Sequence, residues 1–302
     1  MRLILKPKPP FNFDLSAKIF SNGDRQIQNY EDGKYWQVIR INKKLILITI
    51  TSLGTVNEPL LSIEMKANKE ISSDDEKAVS ENIDTLFNLK FALETFYESI
   101  KRDRIMRQLT LKLRGLKSPT TSTVFEALID SIVEQQISLA VANNFENKLI
   151  KQFGSKLTIE NEVFYAFPTP EQLRAASIGD LMNSVLSTRK AEYIRDLSKS
   201  ITEGELKLDE LKENANTERI IEELDKIRGI GTWTAEMTVI RGMQKHDALP
   251  ADDVGLRRTI SHFYCEGRKI TADEARSISD RWGKWKGLAA YYLIVAELLA
   301  QS

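Results

Sequence analysis

The residues with most to offer chemically lie between Leu224 and Arg258, in LDKIRGIGTWTAEMTVIRGMQKHDALPADDVGLRR. Gly229-Ile230-Gly231 interrupts a helical pattern of apolar residues (Ile220, Leu224, Ile227), and a second helical pattern begins at Thr232 and lasts to about Met243. Two glycines around one apolar residue permit a sharp turn with positive φ and close approach by another chain, while Ile230 can plug the angle between the helices. The second helix opens directly after Gly231, so its unpaired N–H groups and positive dipole end would face outward without side-chain bulk. That suits a phosphate, and so a nucleic-acid backbone. An ordinary αα-corner has the same pattern, and a match this short is common by accident. Trp233, Met237 and Ile240 then fall on one helical face, which in its simplest reading is a core stripe. After a polar loop, Leu249-Pro250-Ala251-Asp252-Asp253-Val254 leads into a third helical pattern reaching about Tyr264, and either aspartate can be its N-cap.

In order and spacing, IRGIGTWTAEM (227–237), Arg241-Gly242 and LPADDVGLRR (249–258) together resemble the helix-hairpin-helix-Gly/Pro/Asp superfamily of DNA glycosylases. Within it they are most similar to the 3-methyladenine DNA glycosylase II, or alkylbase, branch. The resemblance implies a monofunctional enzyme of base excision repair that flips a damaged base, above all an alkylated purine such as 3-methyladenine, out of duplex DNA and hydrolyses its N-glycosidic bond. The superfamily's essential aspartate matches Asp253, which leaves Asp252 as a helix cap or structural neighbour. Such a carboxylate, buried beside C1′, would stabilise an oxocarbenium-like transition state and orient the attacking water. An alkylated purine is already cationic and leaves without a strong general acid, so a lone carboxylate suffices.

Members that also nick the strand carry a nucleophilic lysine at the position held here by Trp233, which implies no lyase step. In the alkylbase branch a tryptophan there lines the base pocket, where it can stack on an extruded base or hold a cationic one. Other pocket positions match Met237, Val254 and Ile294, a less aromatic set than the bacterial enzyme's, and Ile19 or, as the chosen candidate, Phe20 from the N-terminal part. DNA contacts are implied at Gly229, Ile230, Gly231, Thr232 and Thr234 of the hairpin, and at Arg189 and Lys190. Gln135 and Gln136 sit where relatives wedge into the duplex, Gln136 being the expected plug. No cofactor and no catalytic metal is implied, apart from a monovalent cation at the hairpin. The partner is double-stranded DNA containing damaged bases, met by a monomer.

These residues must be positioned by a chain of 302 residues, enough for two or three domains. Lys plus Arg and Asp plus Glu both number 43, so any DNA face must be a local patch rather than a general attraction. The densest basic run is Lys101, Arg102, Arg104, Arg107, Lys112, Arg114 and Lys117, which is more often a solvated helix face than a DNA contact. A single cysteine, Cys265, excludes a disulfide framework and the four-cysteine iron–sulfur cluster of other branches, and His246 and His262 do not complete a zinc site with it. No apolar run is long enough to span a bilayer and no signal peptide is legible, so a cytoplasmic, nucleoid-associated or nuclear protein is expected.

Period-two alternation in Leu3–Lys6, Tyr35–Ile41, Leu45–Ile50 and Leu60–Met65, with turn pairs Asn22-Gly23 and Asp32-Gly33, predicts an antiparallel sheet of four or five strands and a helix around Ala17–Gln28. Ser72 followed by Asp74, Asp75 and Glu76 marks a helix start at the domain junction. The expected fold class is α+β, mainly α: residues 1–85 a small antiparallel-sheet domain with a flanking helix, then 86–302 a two-lobed all-helical domain with its hairpin at 220–243 and its catalytic loop at 247–255. Near the end, Trp282 and Trp285 resemble the alkylbase branch's closing signature and are expected to pack the last helix onto the hairpin. Two rival functions stay open: the same chemistry on hypoxanthine, uracil or 8-oxoguanine, and a non-catalytic DNA-binding module in which Asp253 merely caps its helix.

Overall fold

The computed structural model describes residues 1–185 and 187–301, Gln301 by its backbone alone. Strand β1 (Arg2–Leu5) and helix α1 (Phe13–Phe20) precede β2 (Gln28–Glu31), β3 (Lys34–Ile41), β4 (Lys44–Ser52) and β5 (Leu61–Lys66), which form an antiparallel sheet in the order β1-β5-β4-β3-β2. Asp32-Gly33 and Asn42-Lys43 close the β2–β3 and β3–β4 hairpins with both central residues at positive φ, the backbone that matches the strand twist. The first helix is earlier than predicted. Asn12 caps it by accepting from the Leu15 N–H, and the chain leaves the helix at Ser21, ahead of the Asn22-Gly23 turn, so that Gln28 starts a strand.

Alternation in β3 and β4 sorts side chains to two faces. Tyr35, Ile39, Ile46, Ile48 and Ile50 form one core with α1 and with α2 (Ser73–Phe87). Helix α2 starts with the Ser72/Asp75 capping box and contributes Val79, Ile83, Leu86 and Phe87. Leu89 joins the same core, so the first packing unit runs past the expected boundary at residue 85.

Beyond it come α3 (Leu93–Ile100), α4 (Arg104–Lys112), α5 (Val124–Glu134) and α6 (Leu139–Phe153). The domain is not all-helical. Strands β6 (Ser155–Ile159) and β7 (Glu162–Ala166) form a hairpin through Glu160-Asn161, both at positive φ. Its Leu157, Phe164 and Ala166 cover Val38 and Leu47, the second face of the sheet. That face is therefore also apolar, and the hairpin ties the helices to it.

The remaining helices are α7 (Pro170–Ala175), α8 (Ile178–Val185), α9 (Thr188–Thr202), α10 (Leu208–Lys212), α11 (Thr217–Asp225), α12 (Thr232–Met243), α13 (Val254–Tyr264), α14 (Ala272–Ser279) and α15 (Lys286–Gln301), with a 3₁₀ turn at Asp280–Trp285. They build two cores. The hairpin lobe gathers Leu128, Ile132, Ile194, Leu224, Ile230 and Val239, and the other lobe packs Phe96, Leu256, Tyr292 and Leu293 around Trp282. Trp282 is fully buried and its indole N–H points to Asp103, while Trp285 lies against Phe91, Phe96 and His246. Trp282 thus secures α4 rather than the hairpin, and Trp285 reaches only the segment that leaves α12. Where α5 and α12 cross, a Cβ on Gly242 would lie 2.9 Å from the Ala127 Cβ, so the glycine permits the close approach.

Candidate active site and nucleic-acid interface

Helix α11 is capped by Asn216 and ends at Asp225, and the chain then turns at Gly229, which adopts φ +90. A Cβ there would fall 2.2 Å from the Tyr193 ring, so both the turn and the packing require glycine. Gly231 is different: its φ is −93, nothing lies within 4 Å of a Cβ placed on it, and it N-caps α12 with no side chain over the first turn. Gly231 and Thr232 are exposed there. Ile230 plugs the angle at 3% exposure, but its N–H already donates to the Ile227 carbonyl, which removes it from the expected DNA contacts. The Thr234 side chain is turned inward, 2% exposed with its hydroxyl accepting from Gln135, so only its backbone N–H stays among the expected DNA contacts.

Helix α5 stops because Gln135 leaves helical geometry and Gln136 turns left-handed at φ 59. The Gln135 amide donates to the Gly229 carbonyl at 2.9 Å and to Thr234 at 3.0 Å, so this side chain braces the hairpin from within instead of meeting DNA. Gln136 is exposed, and beside it Leu139, at 59% exposure, offers a second side chain that the sequence reading passed over. Lys190 is likewise corrected. Its ammonium is buried and donates to the Val133 and Gln135 carbonyls at 2.8 and 2.7 Å, and burial lowers its pKa. It satisfies the frayed end of α5 and is unavailable to a phosphate. Its neighbour Arg189 is exposed, as are six of the seven residues in the basic run. The seventh, Lys117, is fully buried, donating to the Leu89 carbonyl over the Phe11 ring, and burial brings its pKa down to about 8.

On α12, Trp233, Met237 and Ile240 are all half-buried, and of the three Ile240 packs against the hairpin-lobe core. The Trp233 indole N–H is covered yet has no partner among the described residues. The chain then crosses between lobes: Ala248 belongs to the hairpin core, Leu249 and Ala251 to the Trp282 core. Two tight turns shape the crossing, with Ala251 N–H to Leu249 C=O at 2.8 Å and Asp253 N–H to Pro250 C=O at 2.9 Å. Asp253 emerges half-buried and caps α13, its Oδ1 accepting from the Leu256 N–H at 2.6 Å. The cap is therefore Asp253 and not Asp252, which is exposed and pairs with Arg276 at 3.3 Å. Oδ2 of Asp253 has no partner among the described residues.

Val254 is 72% exposed, so it can form only the rim of a base pocket, not its wall. Ile294 on α15 is half-buried against the Trp282 core, one turn from Tyr291, whose covered hydroxyl also lacks a partner among the described residues. Phe20 is a correction: it stacks on Tyr35 and meets Phe87 edge-on inside the N-terminal core, while Leu15 and Ile19 are the residues of that helix that pack against the Trp282 lobe. His246 is kept neutral by burial, its pKa lowered to about 4. Among the described residues no group of His, Cys, Asp and Glu side chains is placed to hold a metal ion, and no helix is long and apolar enough to cross a membrane.

Besides Leu139, sequence reasoning missed Glu236, Arg276 and Tyr193. Each acts on a partner far away in sequence, which leaves no local signal.

A family model described as "HhH-GPD superfamily base excision DNA repair protein" matches residues 129–284. The DNA-3-methyladenine glycosylase of Bacillus subtilis is 29% identical over 287 residues, 94% of each chain. Among solved structures, the 3-methyladenine DNA-glycosylase of Archaeoglobus fulgidus superposes with a TM-score of 0.84 at 27% identity over 97% of each chain. The 3-methyladenine DNA glycosylase of Schizosaccharomyces pombe, solved with abasic DNA, gives 0.56 at 25% identity over 66% of this chain and 94% of its own.

Proposed function

We propose, from the premise that the chain belongs to the HhH-GPD superfamily of base excision DNA repair proteins, that it is a monofunctional glycosylase hydrolysing the N-glycosidic bond of alkylated purines, such as 3-methyladenine, in duplex DNA. The names of its relatives from Bacillus subtilis and Archaeoglobus fulgidus support that substrate class. Three features of the hairpin and of the loop that follows it support the reading. These are an α12 terminus open for a phosphate, the half-buried face of Trp233, and Asp253 with one carboxylate oxygen unpaired.

In this reading the N–H groups of Gly231 and Thr232 hold a backbone phosphate, and Arg189 adds charge from the start of α9. Gln136 fills the gap in the duplex, beside Leu139. The extruded base lies on Trp233, with Met237 and Ile294 as apolar neighbours and Val254 at the mouth. Positive charge then grows on the sugar as the bond to the base lengthens. The free oxygen of Asp253 stabilises it and orients the water that adds to C1′, while the alkylated purine departs with its electron pair as a neutral base. The indole of Trp233 cannot form a Schiff base, so the abasic strand stays intact. A monovalent cation at the hairpin would be held by backbone oxygens such as that of Gly229, which keeps one lone pair beyond its bond from Gln135. It would add positive charge beside the phosphate.

Duplexes carrying a single 1,N6-ethenoadenine, 3-methyladenine, 1-methyladenine, hypoxanthine, uracil or 8-oxoguanine test the reading. Strand cleavage only after alkali, confined to alkylated or etheno bases, is the expected result. Cleavage without alkali would refute the monofunctional claim, and release of hypoxanthine, uracil or 8-oxoguanine in preference would move the substrate class. Binding to DNA should weaken steeply with salt, since phosphate contacts dominate it; a flat salt dependence would count against the hairpin grip.

A further inference from the structure

Arg276 lies on α14, in the Trp282 lobe, in a stretch that carries none of the motif residues. Its guanidinium nevertheless makes three contacts around the crossing. Nη1 donates to Oε1 of Glu236 on α12 at 2.9 Å and to the carbonyl of Leu249 at 3.1 Å, and Nη2 donates to Oδ2 of Asp252 at 3.3 Å. One planar fork thus joins the hairpin lobe, the first turn of the loop and the residue before Asp253. Arg257 takes the carbonyl of Ala251, further along the loop, at 3.1 Å. Glu236 is 4% exposed and, among the described residues, has no other cation on it and keeps Oε2 unpartnered, so it anchors the guanidinium from a fixed place one turn along α12 from Trp233. The geometry points to Arg276 as the positioning residue that sets Asp253 against the base platform on α12. It touches neither substrate nor the reacting bond, and it acts by fixing the distance between lobes and the path of the Leu249–Asp252 turns. The inference rests on Asp253 being the carboxylate that serves the sugar.

The physical expectation follows from what such a brace controls. DNA affinity comes from α12's first turn and from surface charge, which Arg276 does not contact, so binding should persist when it is removed. The chemical step depends on a carboxylate held to a fraction of an ångström, and a displacement of about 1 Å lowers a rate by about a hundredfold. Lysine keeps the charge but offers no fork, so it can serve Glu236 or the loop and not all three acceptors.

The experiment compares the parent protein with Arg276→Met, Arg276→Lys and Asp253→Asn. It measures single-turnover base release at saturating enzyme, equilibrium binding to a duplex with a stable abasic analogue, and the melting temperature. Expected are a loss of roughly tenfold to a hundredfold in rate for Arg276→Met and a smaller loss for Arg276→Lys, with the dissociation constant within about threefold of the parent. A folding defect alone would lower the active fraction without changing the rate at saturating enzyme. Should Arg276→Met not fold, Arg276→Lys decides alone. Parent rates in the folded Arg276 variants, beside an inactive Asp253→Asn, would overturn the positioning role and leave the enzyme reading standing. An Asp253→Asn protein as active as the parent would remove that reading and this inference with it.

Discussion

As the N-cap of α13, Asp253 spends Oδ1 on the Leu256 N–H and keeps Oδ2 for other work. Asparagine caps a helix about as well as aspartate, so Asp253→Asn separates the two duties: the melting temperature should hold while base release falls on the order of 10²-fold or more. Asp253→Ala loses both, and adds a destabilisation of about 1 kcal/mol from the missing cap. Equal base release by Asp253→Asn and the parent would leave only the capping duty, which is what a non-catalytic module needs. At this scale the sequence was a good guide where structure is local. The turn at Gly229 and the open helix start at Gly231 stand in one continuous stretch and follow from neighbours within a few positions, whereas the Tyr193 ring against Gly229 does not. The sequence misled at the side chains of Gln135, Thr234 and Lys190, polar residues beside the site whose partners are internal. Nothing in an isolated stretch distinguishes a polar group that faces a ligand from one that satisfies the end of a neighbouring helix.

The hairpin between α11 and α12 contains two glycines that do unlike things. Gly229 holds φ +90 against the Tyr193 ring, so Gly229→Ala should destabilise the fold by about 1–3 kcal/mol through backbone strain and overlap. Gly231 sits in open space at an ordinary φ, so Gly231→Ala should melt within a few degrees of the parent yet bind DNA roughly tenfold more weakly, the scale of one hydrogen bond to a charged phosphate. Unchanged affinity in Gly231→Ala would place the phosphate elsewhere. Elements were legible to the extent that their periodicity was local. The Ser72 capping box starts its helix as read, but the β6–β7 strands, only five residues each, were lost between stronger helical patterns. Phe20 was misplaced for a related reason: the short helix α1 has apolar residues facing two cores, and sequence alone does not say which face turns where.

Across the whole molecule, the sheet and the helices enclose a cavity of about 650 Å³ lined in part by Arg40, Asn82, Glu126 and Glu146. Glu126 and Asp130 lie on α5 and Glu146 on α6. Burial raises all three carboxyls above their ordinary range, and Arg241, the cation set against them, is already paired with Glu134. Raised carboxyls hold protons that the unfolded chain has released. Their contribution is therefore complete below the ordinary carboxylate range and is lost as pH rises through the raised values. The melting temperature should accordingly fall as pH is taken from about 5 toward alkaline values, and Glu146→Gln, which stays neutral, should flatten that fall. Identical profiles in the two proteins would mean that these groups ionise freely.

The β6–β7 hairpin has a bearing on how the chain can be cut. Its Leu157 and Phe164 lie over Val38 and Leu47, so sheet and helices share a greasy seam. A fragment beginning after Leu89 would retain both helical lobes and every residue assigned to the site except those of α1, but would bare that seam to water. The N-terminal sheet therefore serves the helical part as a cover. Making the helical part soluble on its own would call for polar side chains at 157 and 164, and for cover where Leu15 and Ile19 leave the Trp282 core.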